Sequence, residues 1–345
     1  MKKFFALLLA ACSLFLVSSC EPWDENPRDR EREYEGVPKV YRSFDTAVKY
    51  LIQTKNNRPS IVHYTTMGKT VEGRDIPAVI VTKNPTEPQG DKPGVRIAGS
   101  IHGNEYISGE VVFRFIEYLT NEYKAGNSEI VKIVDNNYIV CMPILNPDGH
   151  ERGSRYNANW EDLNRDFVIY GAGGSGISLF TQPETQAVRD FPAIFHISVT
   201  FHSGEVVINL PFDYATRLSK GYAPRAVPAS NDLVWDLGNV YANAGFSSNP
   251  DVLLSSYAVN GVITGGDWYA IDGSLQDWSY LQTGCIDMTV EVSRNYSPQT
   301  EEGIQAVFDY NKKSLVEFIK QASYVKTTGV TSAAEPVLDP ETQDP

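Results

Sequence analysis

The sequence is poor in the residues that staple small proteins or cluster metals. It has four Cys, four Met and five His in 345 residues. Cys12 and Cys20 belong to the N-terminal segment, the remaining pair can make at most one disulfide, and neither Cys141 nor Cys285 has the close Cys or His company that a thiolate metal cluster needs. Excess positive charge is also missing. Thirty Lys and Arg stand against 43 Asp and Glu, a formal net charge of −13, so nothing is left over to neutralise nucleic-acid phosphates. No apolar run reaches the roughly 18–20 residues that span a bilayer as a helix. No internal repeat is visible. What is present is ordinary globular composition, 42% hydrophobic and 21% charged, with 19 Tyr and 15 Phe to fill one large core.

The N-terminus carries an address. Lys2 and Lys3 precede a mostly apolar run, Phe4–Val17, of the kind found in a signal peptide. Val17-Ser18-Ser19-Cys20 resembles the bacterial lipobox, which implies cleavage before Cys20 and lipidation of its thiol. An ordinary secretory signal with an incidental Cys is the alternative. Residues 1–19 are thus expected to be a lipoprotein signal peptide, and 20–38 a solvated tether, mixed in charge from Arg28 to Glu35. Glu21, Asp24 and Glu25 resemble the acidic surface-export signal of some Gram-negative lipoproteins. The expected location is the cell envelope, held to the outer membrane by acyl chains only; a plain tether without surface export is the other reading of the acidic cluster, and the sequence does not choose the leaflet. Cys141 and Cys285 are then left, either as one disulfide or as two buried thiols.

Strand-like runs recur at Ala78–Val81, Val95–Ser100, Tyr138–Ile144, Ile197–Phe201, Val206–Leu210 and Cys285–Val292. Several are apolar on both parities, as in a sheet covered on both faces. Helical patterns fall between them at Ser43–Ile52, Gly109–Glu122, Pro183–Phe191, Asp232–Asn243 and Glu302–Gln321. The alternation predicts an α/β domain over residues 39–323, a mixed, mostly parallel central sheet with helices on both faces. Residues 324–345, rich in Thr, Pro, Asp and Glu, are expected to fray.

His102-Gly103-Asn104-Glu105 follows directly on a strand, where functional residues of layered α/β proteins collect. A His and a carboxylate three apart can face one ion, and His202, at the end of another strand, is the candidate third ligand. Two His and one Glu with an open fourth position suit catalytic zinc. Spacing alone is weak evidence, since His102 could simply bond Glu105. His196, near the start of its strand, reads as structural. Arg155, Asn164 and Arg165 concentrate in one loop after Asn146-Pro147-Asp148-Gly149, and guanidinium forks match carboxylates. Glu291 is an acid inside an otherwise apolar strand, costly unless paired or functional. Gly171–Gly176 satisfies G-x-G-x-x-G but has no helix directly after it, so nucleotide is not expected.

Taken together, "MGKTVEGRDIPAVIV", "HGNEYISGEVV", "NPDG", "DLNRDF", "QPETQAV", "HSGEVVINLPFD", "GSLQDWSY" and "MTVEV" resemble the zinc metallocarboxypeptidase family, carboxypeptidases A and B included. The regulatory carboxypeptidase E and D kind is closer, and the likeness covers residues 40–322. It implies one Zn2+ on His102, Glu105 and His202, Glu291 as general base and Arg155 as oxyanion partner. It further implies Asn164 and Arg165 on the terminal carboxylate of a peptide substrate, and Tyr269 closing over it. Asp213 and Gln276 match the pocket residues for C-terminal Lys or Arg, although Pro211-Phe212-Asp213 could instead be a surface turn. Ser203-Gly204 replaces the family's Gly-Gly, Leu210-Pro211-Phe212 replaces Tyr-Pro-Tyr, and no β-sandwich-sized segment follows the catalytic part. Two other readings share the scaffold, a zinc deacylase acting on N-acyl amino acids and a non-catalytic binding lipoprotein. Peptidoglycan stems are one conceivable peptide substrate.

Overall fold

The computed structural model describes residues 36–170, 176–214, 227–254, 258–268 and 270–331. The signal sequence, Cys20, the tether as far as residue 35, and Tyr269 lie outside the described residues. In chain order the elements are α1 (Phe44–Asn57), β1 (Val62–Lys69), β2 (Asp75–Val81), β3 (Gly94–Ala98), α2 (Tyr106–Ala125), α3 (Ser128–Asn136), β4 (Tyr138–Met142) and α4 (Pro147–Arg152). There follow β5 (Val168–Tyr170), β6 (Gly176–Ser178), α5 (Pro183–Arg189), β7 (Ile197–His202), β8 (Val206–Leu210), α6 (Asn231–Ala244) and β9 (Val262–Thr264). The chain continues through α7 (Gly265–Trp268), α8 (Leu275–Trp278), β10 (Ile286–Val292), α9 (Glu301–Lys320) and α10 (Ala322–Thr328).

Eight strands form one sheet in the order β1-β2-β4-β3-β7-β10-β8-β9. Pairs β3–β4, β3–β7, β7–β10 and β8–β9 are parallel, and the other three are antiparallel. This is the mixed, mostly parallel α/β sheet the sequence predicts. Strands β3, β4, β7, β8 and β10 are buried at every position, so both faces are covered. Of these, only β4 is continuously apolar; β7 and β10 alternate apolar residues with Ser, Thr, Asp, His and Glu that are buried as well.

Local chemistry starts and stops the helices where the pattern suggests. Ser43 accepts a hydrogen bond from Thr46 N to open α1, and Thr300 accepts one from Gly303 N to open α9. Gly126, in the left-handed region at φ 78°, ends α2. The short or half-exposed elements are not assigned from the sequence, β1, α3 and β9 among them. Strand β1 is half exposed and polar in places, α3 is only nine residues, and β9 is only three. Residues 168–170 and 176–178 pair as an antiparallel hairpin, so no helix opens after the glycine-rich segment.

The domain boundaries need correction at both ends. The fraying expected from residue 324 does not begin there: α10 continues to Thr328, Val325 is buried, and Val330 packs on the core. Val325 is buried together with Ala322, three positions before it on α10, and this burial outweighs the polar composition around them. At the other end Val37 already packs on the core and Gly36 O accepts from Tyr106 Oη, so the tether ends before residue 38. Cys141 and Cys285 are both buried free thiols. Arg96 on β3 is buried against Asp287 on β10 at 2.8 Å and Ser198 on β7 at 2.9 Å. One ion pair thereby spans the three central strands.

Candidate active site

The three strands at the middle of the sheet deliver the site. His102 lies just beyond β3, His202 ends β7, and Glu291 is near the end of β10. Glu291 stands directly opposite His202 in the parallel β7–β10 register. Glu105 is the residue before α2, placed three positions after His102 by the tight turn between them.

His102, Glu105 and His202 are all buried, and each offers a ligand atom within 4.8 Å of the others. His102 Nδ1 is 2.7 Å from Glu105 Oε1, and His202 Nδ1 is 3.2 Å from both His102 Nδ1 and Glu105 Oε2. Two imidazole nitrogens and a carboxylate oxygen converging in a buried niche are the donor set that zinc takes. Behind them, His102 Nε2 lies 3.1 Å from Asp162 Oδ1. That contact fixes the tautomer and leaves Nδ1 as ligand. Ser203 N donates to Glu105 Oε2 at 3.0 Å, and Ser203 Oγ donates to Tyr296 O. The serine that departs from the family's Gly-Gly thus ties a ligand to the segment after β10.

Glu291 is 7% exposed, and its Oε2 has no hydrogen-bond partner among the described residues. Burial first, and the nearby charge of Glu105 second, push its carboxyl up to about 8, while His202 and Arg155 pull it back. Arg155 donates through Nε and Nη2 to Asp162 Oδ2, and its Nη1 is 3.2 Å from His102 Nδ1. Burial alone would raise Asp162, but Arg155 and His102 hold it well below the usual carboxylate range. Asp162 Oδ1 also accepts from Asn164 N, which starts the turn carrying Asn164 and Arg165. Asn164 Oδ1 accepts from Leu275 N, and Arg165 Nη1 donates to Asn164 O, its side chain one-third exposed.

The remaining motifs brace these groups. Asn146 caps α4 through Gly149 N and donates to Ile101 O and Arg155 O, so it joins the His102 loop to the Arg155 loop. Asp148 accepts from Thr70 Oγ1, Glu72 N and Arg74 Nη1, which docks the β1–β2 turn beside them. Sequence reasoning gave Asp162 and Asp148 no role. Their only signal was membership of the "DLNRDF" and "NPDG" segments. His196 is structural as read, its Nδ1 accepting from Gly94 N at 3.0 Å.

Asp213 is 2% exposed and accepts from Asn209 Nδ2 and Gln276 Nε2, so it is no surface turn. Both oxygens of Asp277 accept from Asp213 N, and one also accepts from Tyr214 N. Burial raises Asp213 above its ordinary value, opposed first by hydrogen bonds from Ser274 and Asn209 and then by the charges of Arg165 and His202. Tyr269, expected to close over a substrate, lies outside the described residues.

A family model described as zinc carboxypeptidase matches residues 47–328. With the ligand set and the sheet above, the chain belongs to the zinc carboxypeptidase family. Its relatives include carboxypeptidase D of Mus musculus, 30% identical over 288 residues, 79% of this chain and 20% of that protein. Carboxypeptidase M of Mus musculus is 30% identical over 289 residues, 79% of this chain and 63% of that one. Carboxypeptidase SOL1 of Arabidopsis thaliana is 33% identical over 265 residues, 76% and 51%. The chain therefore spans only 20% of the length of the carboxypeptidase D relatives. Among solved structures, thrombin activatable fibrinolysis inhibitor has a TM-score of 0.67 at 19% identity, over 83% of this chain and 75% of that one. Carboxypeptidase A from Helicoverpa armigera has 0.61 at 19%, over 84% and 74%. At that identity the likeness concerns the fold.

Proposed function

We propose that this protein is a metallocarboxypeptidase using one zinc ion, which removes C-terminal Lys or Arg from peptides at the bacterial cell envelope. The observation that carries the reading is the buried His102, Glu105 and His202 triad with Glu291 facing His202 across one rung of the sheet. Zinc held there supplies a Lewis acid for the scissile carbonyl and makes a water acidic enough to attack near neutral pH. Glu291 takes the proton from the attacking water and returns it to the departing amine. Arg155, held by Asp162, donates to the oxygen where negative charge develops. Asn164 and Arg165 grip the substrate's terminal carboxylate, which makes the cleavage exopeptidic. Tyr269 closes over the bound end.

The basic preference is supported by Asp213. A buried carboxylate surrounded by neutral donors, with cations only at longer range, gains most from a cationic side chain entering beside it. Anchoring is supported by the sequence around Cys20, and radiolabelled palmitate incorporation that is lost in Cys20→Ser tests it.

The function is tested on protein starting after Cys20, with matched peptides ending in Lys, Arg, Phe or Glu, with and without chelator. Release of Lys and Arg is expected, abolished by chelator and reduced at least about 100-fold in kcat by Glu291→Gln. Release of Phe alone would keep the mechanism and remove the role given to Asp213. Bound zinc with no release from any peptide would favour an N-acyl amino acid deacylase.

A further inference from the structure

The first residues of the domain pack behind the site. Tyr41 is 7% exposed, and its ring stacks on Tyr106 with centroids 5.5 Å apart and planes 27° from parallel. Tyr106 follows Glu105 directly and opens α2. Tyr41 Oη donates to Pro298 O at 2.7 Å. Pro298 lies on the segment that leaves β10, and its neighbour Ser297 donates through Oγ to Asn104 O, inside the turn from His102 to Glu105. Tyr41 therefore touches the start of α2 on one side and the segment that follows Glu291 on the other.

Tyr106 extends the contact to a third loop. Its Oη lies 3.2 Å from Gly36 O and 3.1 Å from His150 O, so one proton is shared between two carbonyls. A Cβ on Gly153 would stand 3.1 Å from the same Oη, so the hydroxyl presses on the end of α4, two residues before Arg155. Arg42 O lies 2.8 Å from His150 Nε2, and the Arg42 guanidinium pairs with Glu110 on α2. Residues 36–42 are thus tied to three loops at once. One carries His102 and Glu105, one leads to Arg155, and one follows Glu291.

We propose that Tyr41 is a positioning residue for the metal centre, which through Tyr106 sets where Glu105 and His102 stand relative to Glu291 and Arg155. The inference rests on the reading of His102, Glu105 and His202 as zinc ligands. The physical reason lies in the first turn of α2. Glu105 occupies the N-cap position but makes no side-chain cap, because its carboxylate is turned to the two histidines. The turn therefore lacks the anchor that a capping side chain gives, and the next residue supplies one through its ring. A ring stacked on its face and bonded at its hydroxyl is held in both tilt and height. Tyr41 is itself fixed at its own hydroxyl by Pro298 O.

The test measures zinc affinity of the full chain in detergent, by competition with a chromogenic chelator, beside thermal unfolding of the metal-free protein. Tyr41→Leu should weaken zinc binding about tenfold. At saturating zinc it should still lower kcat roughly threefold or more, with KM unchanged. Tyr241→Leu controls for lost core alone, since Tyr241 is a buried ring on α6 whose Oη donates to Asn311 Oδ1 on α9 at 2.8 Å. It should lower the melting temperature as Tyr41→Leu does and leave zinc affinity at the wild-type value. Tyr41→Phe keeps the stack and loses only the bond to Pro298 O. It should bind zinc more weakly than wild type but more tightly than Tyr41→Leu, and it decides alone if Tyr41→Leu does not fold. Wild-type zinc affinity in the Tyr41 variants, or an equal loss in Tyr241→Leu, overturns the role of Tyr41. A wild-type chain that binds no zinc overturns the reading of the ligands and this inference with it.

Discussion

One carboxylate, that of Asp162, touches three parts of the site. It accepts from Asn164 N, orients His102 through Nε2, and holds Arg155 through two donors. Removing its charge therefore disturbs His102 and Arg155 together. Asp162→Asn should weaken zinc binding by roughly 10- to 100-fold, read by competition with a chromogenic chelator. Activity at saturating zinc should remain below wild type, because Arg155 loses its ionic partner. A variant with normal zinc affinity would show that His102 is oriented by its packing alone. Glu291 shows the opposite economy, with one oxygen that has no hydrogen-bond partner among the described residues, on a strand buried at every position. Sites keep such groups where chemistry needs them.

Among the elements, the loop from β3 into α2 is the one with least room. Gly103 lies so close to α4 that a Cβ would stand 2.1 Å from Gly149 C. Gly149 in turn is pressed between Asn146 Nδ2 and Tyr156 O. The two glycines let the His102 loop and the Asn146 turn touch backbone to backbone, which is what brings Arg155 beside His102. Gly103→Ala is expected to push these loops apart and to lower both melting temperature and zinc content, on the order of 2 kcal/mol or more in stability. Thermal unfolding with metal analysis checks this. An alanine variant with wild-type zinc and stability would mean the loops can separate without moving His102.

Across the whole molecule, the central sheet buries charge in two ways. Arg96 and Asp287 neutralise each other beneath the site. Asp213 and Asp277 are buried side by side with only neutral donors in contact, and burial raises both above the ordinary carboxylate value. A raised folded value means that the unfolded chain ionises first. The stability tied to Asp213 is thus fully present below its ordinary value of 3.8 and is lost as pH rises through the raised folded value. Asp213→Asn keeps the acceptor for Asn209 and Gln276 but removes the charge. Its melting temperature should exceed wild type by a margin that grows as pH rises from 3.8. A constant difference across pH 4–8 would show that Asp213 is not raised in the folded state. This is the cost of burying a carboxylate with no cation in contact.

The sequence by itself determined the fold class, the six main strands and the identity of the metal and base candidates. Apolar runs of both parities and a His, Glu or Asn at a strand end are local signals, and they survive without coordinates. It could not show short or half-exposed elements such as β1, α3 and β9, whose burial pattern is too weak to stand out from loop. Nor could it place the end of the domain, because Val325 acquires its meaning only from the core it meets. Tertiary structure alone set Glu291 opposite His202, joined Asp162 to His102 across 60 positions, and placed Gln276 between Asp213 and Thr289 N. Those relations depend on strand register and on loops meeting in space. They are distances between residues far apart in the chain, which no local pattern encodes.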